Sequence, residues 1–457
     1  MACKTCCATK SVCPIRAKCE SRSKRGCWDL NHKRKVAIIG AGWAGLSAVA
    51  HLAPHCQVTL FEASRVVGGR ARGVNATPFS FADNGQHLLI GAYRGVWDLL
   101  QQVGVDIDQA FVRQPLQWYL ADGAQFAMPL NLPMRLALFW TIWSAKSCRL
   151  LEKVALLQPM LALQKWHKQA QPDQSVQSWL LAHKVSPKWI AEFWQPLVWG
   201  IMNTPLETAS LRVLCHVLED SVWCHQTTAC DYLIPRDDLG KAFAEPVLQW
   251  AIGQGATWQP ATRVGKIGLD NTKIVVENET FDAAILATAP YHLPALLPDD
   301  LGDSVRAAID KLQYHAITTV YLRYAKPCAL PALMTGFAHG TAHWLIDRTQ
   351  INGANEIAAV ISVSDQSSLH HTANDWARLV HQDVLRVCPN VGEPIAQQVI
   401  TEKRATIASS VNRSLPDMHD LNARGIWLAG DWLHSRYPAT LEAAVLSGRD
   451  VAQSVLR

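Results

Sequence analysis

Charged residues are scarce in this chain. Asp, Glu, Lys and Arg make up 18% of its 457 residues, against 49% hydrophobic. The formal net charge of +5 misleads, because residues 1–35 alone hold ten Lys/Arg and two acids. The other 422 residues carry 33 basic and 36 acidic side chains, a net of −3, which excludes a nucleic-acid partner on charge. The basic stretch also lacks the apolar run, about 7–15 residues long, of a secretory signal. It reads as a disordered, basic, cysteine-rich extension at 1–34. Six of the 13 cysteines lie there (Cys3, Cys6, Cys7, Cys13, Cys19 and Cys27). Cys3-x-x-Cys6 followed by Cys13 could ligate zinc, but the spacings repeat no finger or ribbon pattern. The other seven are scattered, which in a chain of this size means reduced cytoplasmic thiols rather than a disulfide framework. Cys215-His216, Cys224-His225 and Cys230 are the one place for a metal, yet separations of nine and six residues fit no pairwise ligand motif, so no metal is expected. No internal repeat or Gly/Ser linker marks a boundary, although the length calls for two or more domains.

What is present starts at Val36. A β-branched run (Val36, Ile38, Ile39) reads as a buried parallel strand ending in Gly40-Ala41-Gly42-Trp43-Ala44-Gly45, which opens a helix to about Leu52. A second strand, Gln57 to Phe61, delivers Glu62, twenty-two positions after Gly40. Gly40 permits the tight turn, Gly42 lets backbone approach a pyrophosphate, and Gly45 lets the helix pack close to the strand. The helix N-terminus offers free N–H groups to phosphates. Glu62 can accept both ribose hydroxyls. Gly68-Gly69-Arg70 then separates FAD from NAD, because a second glycine pair with an arginine can wrap the far side of a pyrophosphate that stays bound.

Two later segments extend this pattern. Asp83-Asn84-Gly85-Gln86-His87 is turn chemistry leading into an apolar stretch. Near the C-terminus, Ile426 to Asp431 is a buried strand ending in Gly430-Asp431, followed by Tyr437-Pro438-Ala439-Thr440-Leu441 and a helix to about Val455. Asp431 can bond a ribityl hydroxyl or reach toward the pyrophosphate. The first N–H groups of that helix, near Thr440 and Leu441, can face the flavin N1/O2 edge, where a helix dipole stabilises the charge of the reduced ring. Residues 262–279 read as β-hairpin material turning at Asp270-Asn271, and Asp282 to Thr288 as a buried strand.

With Glu62-Ala63 five residues ahead of Gly68-Gly69-Arg70, the chain resembles the superfamily of FAD-dependent amine oxidases and phytoene desaturases. It departs from many relatives at Val66, where they have a basic residue; Arg65 lies one place earlier. The resemblance implies an α/β fold: a Rossmann-like FAD-binding domain with an inserted α+β substrate domain. FAD binding then falls to 35–115, 225–290 and 405–457, and the substrate to 116–224 and 291–404. The cofactor set implied is Gly40, Ala41, Gly42, Ala44, Gly45, Glu62, Ala63, Gly69, Arg70, Gly85, Gln86, His87, Val264, Gly430, Asp431, Ala439, Thr440 and Leu441, with Val264 offering its backbone to adenine.

The run DNGQHLLIGAY from Asp83 resembles one branch, the squalene-associated hydroxysqualene dehydroxylases. That implies reduction of hydroxysqualene to squalene with loss of water, in squalene and hopanoid biosynthesis, with an electron donor that the sequence leaves unidentified. Hydroxide leaves poorly, so a proton donor is needed. His87 is the first candidate and His434 the second, although His87 also reads as a histidine satisfied by loop carbonyls. A carotenoid desaturase of the phytoene type and a non-catalytic prenyl-binding escort protein on the same fold are the alternatives. Retention of DNGQH and YPATLEAAV favours an enzyme, and an amine oxidase would usually show an aromatic cage.

Residues 126–166 carry two apolar helical patterns: Leu132, Leu136, Trp140 and Trp143, then Leu150, Val154, Leu157 and Leu161. The uncharged run Leu136 to Ala145 is too short to span a bilayer. Two readings stand: a buried helical hairpin of the substrate domain, or a peripheral contact through 131–163 with the inner face of the membrane that admits an apolar isoprenoid. The eighteen tryptophans, Trp189, Trp194 and Trp199 among them, suit either an apolar tunnel or ordinary core packing.

Overall fold

The computed structural model describes residues 33–457, apart from 130, 131, 133, 147, 170 and 367–370 and the side chain of Arg135. The expected extension, with its six cysteines, lies outside the described residues but for its last two positions. Residues 34–457 form one unit.

Strand β1 (Lys35–Ile39) leads through a glycine turn into helix α1 (Trp43–Leu52) and back to strand β2 (Gln57–Phe61). Its side chains alternate between two cores. Val36 and Ile38 pack with α1, while Ala37 and Ile39 pack with the hydrophobic cluster on the other face. A strand covered on both faces must be apolar throughout, which is why it reads as a continuous run. Strands β3 (Thr257–Gln259), β4 (Ala283–Leu286) and β5 (Ile426–Leu428) complete a parallel sheet in the order β5-β4-β1-β2-β3. The register places Val36 opposite Val58 on one side and Ala283 on the other. The C-terminal helix α2 (Leu441–Leu456) packs on α1 so closely that a Cβ on Gly448 would lie 2.1 Å from the Ala44 carbonyl oxygen.

A second, antiparallel sheet has the order Met334–Gly336, Trp344–Asp347, Glu356–Ser362, Tyr314–Arg323, Ala396–Ile407. Its register shifts between His315 and Ile317, a bulge that bends the sheet at the end nearest the parallel one. The position expected to divide the domains, 404/405, falls inside the long strand Ala396–Ile407. Helices between Met134 and Ser221 face this sheet across a shared core containing Leu156, Trp179, Leu211, Met334 and Trp344.

Two sequence expectations change. The first strand of the expected hairpin is irregular, so Val264 lies on non-strand backbone; regular pairing begins at Gly268–Asp270 against Lys273–Val276. The segment around Trp140 is not a buried hairpin, because its aromatic side chains face outward. Among the described residues no helix is long and apolar enough to cross a membrane.

Candidate active site

The parallel strands converge on a turn that no side chain could occupy. Gly40 holds φ +106°, and a Cβ there would meet the Ala287 carbonyl oxygen at 2.7 Å. Gly45 is excluded by space alone: its Cβ would fall 1.9 Å from the Gly40 oxygen. Gly42, in contrast, faces only the Gly69 Cα, at 4.0 Å. Gly68 donates its N–H to the Ala41 carbonyl (2.8 Å), so the two glycine segments are laced together as one floor. Glu62 is fixed from both sides, accepting from the Ala41 N–H at 2.7 Å and from the Ser64 N–H at 2.8 Å. A carboxylate offers about four lone-pair sites, so capacity for a ribose remains.

Arg70 and Asp431, 361 positions apart, form an ion pair in which Arg70 Nη2 donates to both carboxylate oxygens at 2.8 Å, while Nη1 donates to the Ala405 carbonyl. Burial works against the Arg70 charge, and the Asp431 carboxylate outweighs it. Thr440 caps α2 by accepting the Ala443 N–H at 3.2 Å, and Pro438 to Glu442 present the start of the helix to the same space. That space is a cavity of about 1220 Å³, larger than the ~300–1,000 Å³ typical for one ligand.

Almost all of the expected cofactor residues line it: Gly40, Gly42, Ala44, Glu62, Ala63, Gly69, Arg70, Gly85, Gln86, His87, Val264, Gly430, Asp431, Ala439, Thr440 and Leu441. Ala41 and Gly45 stand one layer behind, where Ala41 orients Glu62 and Gly45 lets α1 close on β1. Arg65 and Val66 are exposed and off the cavity wall, whereas Arg72 and Arg263 line it. Sequence pattern flagged neither of those two arginines, since isolated arginines resemble any solvated cation.

Farther along, the lining turns apolar. Trp118, Phe193, Trp199, Met334, Trp344 and Leu156 build a chamber between the helices and the second sheet. Trp189 and Trp194 are fully buried and do not reach it, so of the three tryptophans expected there only Trp199 does.

The polar groups are few. Gln86 donates its backbone N–H to Thr319 Oγ1 at 3.1 Å, tying the segment to the sheet. His87 Nδ1 lies 3.7 Å from Asp83 Oδ2, and both atoms, with Gln86 Oε1, are buried without a hydrogen-bond partner. Buried polar atoms without partners are costly, and here two of their three side chains line a cavity. His434 is not on the wall: its Nδ1 accepts the Tyr437 N–H at 3.2 Å and its ring stacks behind Tyr437. Burial pulls its pKa down, which keeps it neutral.

Tyr437 takes the exposed place instead, donating to Asp220 Oδ2 at 2.5 Å; Arg436 bonds the same carboxylate and Glu219. Burial pushes the Tyr437 hydroxyl up to about 12, so it holds its proton. Asp220 and Tyr437 are 217 positions apart, and no local pattern joins them. His216 packs against Arg436, while Cys215 and Cys230 are buried in separate cores, and among the described residues no three His, Cys, Asp or Glu side chains converge as metal ligands.

The donor set fits FAD: a glycine floor for the pyrophosphate, a ribose acceptor, and a capped helix start beside unpartnered polar atoms. Residues 43–456 match the family of flavin-containing amine oxidoreductases. The chain is 26% identical to a hydroxysqualene dehydroxylase of Zymomonas mobilis, over 92% of this chain and 98% of the relative. It is 25% identical to one of Rhodopseudomonas palustris, over 93% and 98%. Cyclohexylamine oxidase from Brevibacterium oxydans shares the fold, with a TM-score of 0.67 at 14% identity over 93% of this chain and 98% of that one. The chain belongs to the flavin-containing amine oxidoreductase family and is an FAD-dependent oxidoreductase.

Proposed function

We propose that this enzyme reduces hydroxysqualene to squalene with loss of water. The observation that carries the reading is the cavity itself, which joins a polar nucleotide cradle to a chamber walled mainly by aromatic and aliphatic side chains. A long hydrocarbon alcohol needs such a space. The two hydroxysqualene dehydroxylases similar over nearly their whole length support the same substrate.

The cradle at Gly42, Glu62, Arg70, Asp431 and Thr440 would hold FAD, which in its reduced form would supply the hydride equivalent that the allylic carbon needs. The C–O bond breaks as the new C–H bond forms, and the departing hydroxide must take a proton to leave as water. His87 lines the cavity with the Asp83 carboxylate 3.7 Å behind it, a placement from which its ring can hand a proton to the leaving group. Tyr437 on Asp220 is the other donor facing the chamber, and burial pushes its hydroxyl up to about 12, which makes it reluctant to release a proton. The tryptophan-lined walls exclude water that would otherwise capture an allylic cation.

The test is anaerobic incubation of FAD-loaded enzyme with hydroxysqualene and a chemical reductant, with products read by mass spectrometry. Squalene, formed as the reduced flavin reoxidises, is expected. Oxidation of a polyene on addition of a quinone, without squalene, would replace the reading with a desaturase. A protein that processes neither would point to an escort role.

A further inference from the structure

Helix Met134–Trp143 is apolar on both faces, and the structure gives each face a different neighbour. Leu138, Thr141 and Ile142 line the cavity. Leu136, Phe139, Trp140 and Trp143, spaced at i, i+3, i+4 and i+7, point the other way and are 58%, 52%, 52% and 50% exposed. The next helix, Leu150–Lys168, repeats the arrangement. Leu156 and Met160 line the cavity, while Leu150, Leu151, Val154 and Leu161 are exposed. Lys153 donates to the Trp143 carbonyl at 2.5 Å and ties the pair together. Large exposed apolar side chains so concentrated in one place mark an interaction surface.

Charge selects the partner. Residues 134–168 carry six Lys/Arg and one acid, Glu152, and that acid is already paired with Lys188 at 2.8 Å. The body as a whole carries a net of −3, so this patch is basic against an acidic background. Lys146 and Arg149, exposed between the two helices, adjoin Trp143, Leu150 and Leu151. Aromatic and aliphatic side chains rimmed by lysine and arginine suit an anionic lipid surface, where rings enter the acyl boundary and cations meet phosphate. Ten residues of helix extend about 15 Å, half the hydrocarbon thickness, so the helix lies in the interface.

We propose that this hairpin docks the enzyme on an anionic phospholipid bilayer and forms the wall through which substrate passes from the lipid into the cavity. The docking stands on the surface alone; the passage rests on the apolar substrate proposed above. One helix thickness separates bilayer from chamber, so a hydrocarbon need never cross water.

Flotation of the full chain with vesicles tests the docking, comparing phosphatidylcholine alone with a mixture containing phosphatidylglycerol. Wild type is expected to float with the anionic vesicles and to be released by salt. Lys146→Glu/Arg149→Glu should weaken partition by roughly fivefold or more for each basic residue lost. Trp140→Gln/Trp143→Gln should weaken it by at least about tenfold while FAD content stays that of wild type. The same aromatic variant should act normally on detergent-dispersed substrate and poorly on vesicle-borne substrate. Wild type that ignores both vesicles, binds them equally, or floats no better than the tryptophan variant would overturn the proposal. So would a wild-type dimer that the variant converts to monomer without flotation, which would assign the face to a second copy. Flotation without squalene formation would sink the reaction and leave the docking; squalene without flotation would do the reverse.

Discussion

At the scale of single residues, the site separates groups that hold geometry from groups that move protons. Arg70 and Asp431 neutralise each other and set the cradle, whereas His87 has an unpartnered nitrogen beside a buried carboxylate. If His87 gives the leaving group its proton, His87→Ala should slow turnover by about 10²–10⁴-fold with FAD retained, and Tyr437→Phe should slow it far less. Unchanged turnover in His87→Ala, with loss in Tyr437→Phe, would transfer the role to the Asp220–Tyr437 pair. A second residue makes a prediction about stability. Burial raises the Glu442 carboxyl from 4.5 to about 7, although the Gly95 and Val96 N–H groups favour its anion. Between those two values the folded protein keeps a proton that the unfolded chain has released. The stability from the neutral acid is therefore complete below pH 4.5 and is lost as pH rises through about 7, a change of about 3 kcal/mol. Thermal unfolding across that range should show Tm falling in wild type and a flatter profile in Glu442→Gln. Equal slopes would show that Glu442 does not titrate there.

At the scale of elements, the segment that carries His87 is held by a buried ion pair beneath it. Arg348 lies 3.3 Å from Glu356, both almost wholly buried, and donates to the Phe81 carbonyl at 2.7 Å. Glu356 in turn accepts from the Ser80 N–H and hydroxyl, both at 2.8 Å. One pair thus fastens residues 80–81 to the antiparallel sheet just before Asp83 begins the DNGQH turn. Removing one partner leaves a buried charge alone, so Arg348→Met should lower the unfolding free energy measured in urea by about 3–5 kcal/mol. Arg348→Met/Glu356→Gln should recover part of it, since no charge is then stranded. A single variant as stable as wild type would mean that water reaches Glu356. The expected consequence for function is weaker activity from a displaced His87, with the FAD cradle at Gly40 to Gly45 unaffected.

At the scale of the whole molecule, the sequence was legible wherever chemistry is local. The glycine turn, Glu62 at the end of the second strand and the Gly-Asp strand end each need neighbours only a few residues away, and each is found in its expected element. Pairings across hundreds of positions were not legible, as with Arg70 on Asp431 or Tyr437 on Asp220, because no spacing encodes them. Nor could composition tell Trp344, which lines the chamber, from Trp194, which fills the core. The helix Met134–Trp143 was ambiguous for a related reason: apolar on all sides, it gives periodicity nothing to orient. The same long-range construction predicts how the cofactor acts on stability. Glu62, Gln86, Val264, Asp431 and Leu441 come from separated segments and meet only at the cavity, so FAD bound there stabilises the assembled state and not the unfolded chain. At a free concentration a hundredfold above Kd it should add about 2.7 kcal/mol. Spread over the unfolding entropy of a chain this long, that raises Tm by about 3 °C, and each further tenfold of FAD adds roughly half as much. Glu62→Ala should need more FAD for the same rise, because its ribose acceptor is gone. A Tm independent of FAD concentration would mean that these segments are not joined through the cofactor.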